Sequence, residues 1–168
     1  YDELVKDKPA SAIYFFNYGL ELYQYASDTT KGPAPANADA LIQKSQELLA
    51  QSLKLNPDYP QANLVMGQIS YNQGIEIQQQ TKAIKGSKPE DLKKRADIRA
   101  EAIKKFDEAI PYFEKIDQLL GKEGELKRAD KSALKDSYDL LVTIYEQKKD
   151  KDKAAAWTDK YNNVEKIH

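Results

Sequence analysis

Residues 56–74 read NPDYPQANLVMGQISYNQG, and this stretch decides the class of fold. Asn56-Pro57-Asp58-Tyr59-Pro60 must stop one helix, because proline lacks the N–H that a helix interior needs and Asn and Asp favour turns. From Pro60 onward Leu64, Val65, Met66, Ile69 and Tyr71 recur at three- and four-residue spacing, the period of an apolar helix face. Gly67 lies inside that helix, where a missing side chain lets a neighbour come close. The step from Pro57 to Gly67 is matched earlier in the chain by an equal step from Pro9 to Gly19. An internal period of this kind points to repeated helical units.

Working outward, the spacing predicts helices over 9–27 (opened by Pro9), 38–55, Pro60 to about Ile84, 89–119, 131–148 and 150–166. Strand-like alternation is absent, so the class is all-α. Ser27 to Pro35 forms a break, with Asn37 or Asp39 as the next N-cap and Ser87 as a later one. Pro111 predicts a kink in the 89–119 helix, Gly121 and Gly124 its end, and Asp150-Lys151-Asp152-Lys153 a tight turn.

The chain has 168 residues, 40% of them hydrophobic, enough for one domain with a core. There is no cysteine, and the one histidine is His168, so thiol chemistry, thiolate metal sites and most imidazole chemistry lack their parts. No cofactor or metal is expected. Lys+Arg number 26 against 27 Asp+Glu, a net charge of -1, which gives no global pull toward nucleic acid. Residues 1–80 hold 5 basic against 9 acidic side chains; the rest is mildly basic, with signs interleaved from Lys93 to Glu108 as on a solvated helix face. Apolar runs such as Ala12 to Phe16 are too short to span a membrane. A start at Tyr1 rather than Met reads as a processed or trimmed piece, and the compartment stays open between extracytoplasmic bacterial and cytoplasmic.

Three sets of residues repeat one pattern. The first is Phe15-x2-Tyr18-Gly19-x2-Leu22, then Ser45-x3-Leu49, then Pro57. The second is Asn63-x2-Met66-Gly67-x2-Ser70, then Ala109-x3-Phe113, then Gly121. The third is Tyr138-x2-Leu141-Val142-x2-Tyr145, then Ala154-x3-Thr158. This resembles the tetratricopeptide repeat (TPR) family, with bacterial-type degenerate repeats, whose pattern W-x2-L-G-x2-Y, A-x3-F, P spans about 34 residues. Asn63 stands where the family has a bulky aromatic, Val142 where it has a small residue and Thr158 where it has an aromatic. Both Pro57 and Gly121 come later than the family's spacing would put them, so the first two hairpins are lengthened, the second more than the first.

The resemblance implies a right-handed solenoid of antiparallel helix pairs, about three and a half repeats in a single domain over 1–168. The end of a preceding repeat would occupy 1–9, the first full repeat 10–59, the second 60–124 and the third 131–168. It also implies a concave groove lined by the first helix of each pair. By resemblance the groove positions fall on Phe16, Leu20, Tyr23 and Gln24, on Leu64, Gln68, Tyr71 and Asn72, and on Asp139, Thr143 and Glu146. The groove would be apolar and aromatic at one end, amide-rich in the middle and acidic at the other. The implied function is a non-catalytic scaffold that binds a peptide or protein with an apolar anchor and a basic or polar stretch, without nucleic acid or membrane insertion. The family's clamp for a C-terminal carboxylate uses Lys, Asn and Arg, so Phe16, Leu20 and Leu64 argue against that mode.

Alternatives stand beside each reading. The chain would otherwise be a structural spacer or self-associating segment of a larger protein, with Phe16, Leu20 and Tyr23 simply packed. Ser132-Ala133-Leu134-Lys135 has the S-x-x-K spelling of serine acyl-enzymes without its companion elements. If Tyr71 serves binding and Phe113 the core, Tyr71→Ala should cost at most about 1–2 kcal/mol and Phe113→Ala about 3–5 kcal/mol. Chemical denaturation of both variants checks this, and equal large losses would refute the assignment of Tyr71.

Overall fold

Proline and glycine divide the chain into helices largely where the sequence predicts. The computed structural model describes residues 11–30, 32–122 and 124–168. Among the described residues every regular element is helical: α1 (Ala12–Ser27), α2 (Ala38–Leu55), α3 (Pro60–Gln79), a 3-10 turn (Gln80–Ala83), α4 (Pro89–Leu120), α5 (Arg128–Gln147) and α6 (Lys151–Ile167). The predicted start at Pro9 and the half repeat 1–9 lie outside the described residues. The chain forms two compact units, Tyr1–Met66 and Gly67–His168, with the boundary inside α3.

Several boundaries differ from expectation for local reasons. Lys88, not Ser87, precedes α4, because Pro89 at the first helical position holds the residue before it extended, at φ -66 and ψ 156. Helix α4 continues through Pro111 to Leu120. Helix α5 begins at Arg128, where the Lys127 carbonyl already accepts from the Lys131 N–H at 2.9 Å. The tight turn is 148–150 rather than 150–153: Lys149 takes a left-handed φ of 60, and the Asp150 carboxylate caps α6 by accepting from the Lys153 N–H at 3.1 Å.

In the first unit α1 and α2 pack antiparallel through small residues. Ser45 and Ser52, one heptad apart on α2, are fully buried, and their hydroxyls donate to the Gly19 and Ala12 carbonyls of α1, each at 2.7 Å. A helical carbonyl has a second lone pair to accept such a bond, so burying these hydroxyls leaves none unsatisfied. The 56–60 turn is held from both sides. Asn56 accepts from the Asp58 N–H at 3.2 Å, while the buried Asn63 amide donates to the Pro57 and Tyr59 carbonyls at 3.2 and 2.9 Å. That is a reason for an amide where the repeat pattern has an aromatic ring.

In the second unit two phenylalanines of α4 enter two glycines of α3. A Cβ on Gly67 would lie 2.5 Å from the Phe113 ring, and one on Gly74 2.5 Å from the Phe106 ring. The crossed numbering makes α3 and α4 antiparallel. Helix α5 runs antiparallel to α4, joined by Tyr138 to Asp117 at 2.5 Å and by an ion pair of Lys148 with Asp107. It therefore runs in the direction of α3, to which the Gln78 amide ties it by donating to Gln147 at 2.8 Å. Helix α6 returns antiparallel along α5, with Trp157 5.6 Å from Tyr138 and Glu165 between Lys131 and Lys135. Phe106, Phe113, Ile116, Leu134, Leu141 and Ile144 form the buried core.

The Gly67 contact is testable by overpacking. Gly67→Ala should lower stability by about 1–3 kcal/mol in urea denaturation. Combining it with Phe113→Leu should cost less than the two single losses added, since the second change vacates the space the methyl needs. Simple additivity would refute the contact.

Candidate functional site

The candidate residues divide between the two units. In the first, Phe16 is buried with its ring 4.9 Å from Tyr59, Leu20, Tyr23 and Leu64 are half-buried, and Gln24 is exposed. In the second, Gln68, Tyr71 and Thr143 are half-buried, whereas Asn72, Asp139 and Glu146 are exposed. Phe16 is thus a packing residue of its unit, while the second unit brings several candidates together.

Because α3 and α5 run side by side in one direction, residues at equal heights on them become neighbours. Tyr71 of α3 lies close enough to Asp139 of α5 for the carboxylate charge to act on its phenol, which burial first and Asp139 second push above its ordinary pKa. The hydroxyl is therefore a neutral donor beside a carboxylate. Below it the ring rests on Phe106 of α4, centroids 5.7 Å apart. One turn before Asp139, Asp136 is also held above the ordinary carboxylate value, by loss of surrounding water first and then by Asp139, against the lowering action of Lys135 and of a hydrogen bond from Ser132. Thr143 donates to the Asp139 carbonyl at 3.1 Å. The result is an aromatic ring with a polar tip, with the Asp139 carboxylate near it and Asp136 one turn earlier on α5 repelled by Asp139.

Sequence reasoning did not include Asp136, Phe106 or the Gln78–Gln147 clasp. The signal for Phe106 was present in the equal seven-residue steps from Gly67 to Gly74 and from Phe106 to Phe113. The Asp136 signal was its place one turn from Asp139 on the same face.

The S-x-x-K spelling can be set against the geometry around Lys135. The Lys135 ammonium bonds Glu165 at 3.0 Å, which raises its pKa, the opposite of what a lysine general base next to Ser132 would need. Among the described residues no group of three or more His, Cys, Asp or Glu side chains is placed to hold a metal ion, and no helix is long and apolar enough to cross a membrane. Neither family models and curated proteins nor solved structures give any match to this chain.

The raised Asp136 carboxyl has a defined pH signature. A folded-state pKa above the unfolded value means that the native state binds the proton more tightly, so the contribution of this group to stability falls as pH rises through the carboxylate range. Asp136→Asn should remove that decline, so the stability of the variant relative to the parent should rise with pH through the carboxylate range. Paired denaturation curves across that interval measure it; parallel pH profiles would show that Asp136 is not under strain.

Proposed function

We propose that this chain is a non-catalytic scaffold of the TPR kind, a solenoid of antiparallel helix pairs with lengthened hairpins that binds a peptide or protein partner along the first helix of each pair. The observation that carries this reading is the pairing of half-buried Tyr71 with Asp139 across two helices that run in the same direction. In such arrays the first helices of successive pairs lie side by side and present a continuous face. A ring with one apolar side and one polar tip suits a surface that is alternately wet and covered. The carboxylates Asp136 and Asp139 would lose mutual repulsion on meeting a cation, which selects a partner segment with a Lys or Arg beside an apolar or aromatic residue. In the first unit Phe16 is buried, which leaves Leu20, Tyr23 and Leu64 as that unit's apolar candidates.

The test is an affinity capture from source lysate, comparing the parent chain with a folded variant carrying Gln68→Ala, Tyr71→Ala and Asn72→Ala, and a second carrying Asp139→Asn. A partner retained by the parent, lost in the triple variant and released from the parent by moderate salt is the expected result. Identical retention by all three proteins would overturn the assignment and favour a spacer or self-associating segment.

A further inference from the structure

The lengthened second hairpin creates a feature that ordinary helix pairs lack. Helix α5 ends at Gln147, level with Asp107 of α4 through the Lys148–Asp107 ion pair, yet α4 extends from Asp107 back to Pro89, about 27 Å further at about 1.5 Å per residue. Past the end of α5 nothing from that helix covers α4. A cleft of about 510 Å³ opens at this step, with Ala102, Ile103 and Phe106 of α4, Gln78 of α3, and Arg99 and Lys149 in its lining. Glu146, Gln147 and Lys148 complete it.

The walls are pre-formed. The Arg95 guanidinium donates to the Ile84 and Gly86 carbonyls at 3.2 and 2.6 Å, fastening the connection between α3 and α4 onto the projecting part of α4. The Gln78–Gln147 bond fixes α3 against the end of α5. Asp107 neutralises Lys148, so Arg99 and Lys149 against Glu146 leave the cleft cationic by one charge. Beyond the cleft, Leu92 is 55% exposed, one heptad before Arg99 and so on the same helical face about 10 Å away. Cation, apolar floor and a second apolar contact therefore lie in a row.

We propose that this notch is a second docking site, separate from the α3–α5 face, and that it takes an acidic peptide segment: a Glu or Asp carboxylate between Arg99 and Lys149, with neighbouring apolar side chains on the Ala102–Ile103 floor and against Leu92. A carboxylate suits a guanidinium because the planar fork makes paired, charge-assisted hydrogen bonds. The apolar neighbours supply the contact area that a solvated ion pair alone does not.

The experiment is fluorescence anisotropy with a labelled, end-capped peptide containing one Glu flanked by two Leu in a Gly/Ser background, titrated with the whole chain. Binding should weaken about tenfold when Gln or Lys replaces the Glu and about tenfold in Arg99→Glu, and it should be lost in Arg99→Glu with Lys149→Glu. Circular dichroism establishes that both variants fold. Asp139→Asn, which alters the α3–α5 face without touching the lining of the notch, should bind the probe as the parent does. The site is refuted if the parent fails to bind at millimolar concentration, if the Glu and Lys peptides bind alike, if charge reversal has no effect, or if a short oligonucleotide displaces the probe. Loss of the probe in Asp139→Asn alone would likewise refute it and assign the peptide to the α3–α5 face, leaving the scaffold reading in place.

Discussion

Everything in the second unit depends on the entry of two phenylalanine rings into two glycines. Phe113 fills the space at Gly67 and Phe106 the space at Gly74, and because both pairs are spaced by one heptad they fix register and separation together. An added methyl group at either glycine would meet a rigid aromatic ring rather than the end of a flexible chain. The contact also sets which face of α3 is buried. With Gly67 and Gly74 turned to α4, Tyr71 is left half-exposed with its ring on Phe106. Phe106 thus serves the helix contact, the support beneath Tyr71 and the floor of the notch.

The first unit solves the same problem with a different small-residue contact. There the approach at Gly19 is made by Leu49 and the backbone of Ser45, and two buried serine hydroxyls bond across to carbonyls of the opposing helix. The serines give direction as well as closeness, since each hydroxyl needs one particular carbonyl. In the second unit directional contacts lie toward the surface. Asp117 of α4 accepts from Tyr138 of α5 and from Lys160 of α6, linking three helices, while Lys160 also lies 4.5 Å over the Trp157 ring. The phenol of Tyr138 is consequently raised far above its ordinary pKa, by burial first and by Asp117 next.

These contacts show that a close helix approach is met by different chemistry in each unit. The pattern asks for small residues at a few close approaches and for apolar residues between them, and several chemistries meet that demand. Asn63 departs from the aromatic of the pattern yet is buried, because its amide bonds the turn that precedes it. The amide is a local solution to holding a helix entry in place.

Much of this was legible in the sequence. The helical class, the 38–55 helix, the starts at Pro60 and Pro89 and the use of Gly19 and Gly67 as close approaches follow from backbone chemistry that acts within a few residues. Proline removes a donor, glycine removes a side chain, and apolar spacing marks the buried face. Other features were not legible for the opposite reason. That Phe16 packs against Tyr59, that Asp139 lies beside Tyr71, and that α5 stops short of α4 and leaves a notch all depend on which residues of distant segments reach the same height. The sequence by itself determined the helical class, the helix starts at Pro60 and Pro89 and which apolar side turns inward, because those are local free energies. Only the tertiary structure decided which polar side chains meet, because register between helices is set by the summed packing of many contacts rather than by any one stretch.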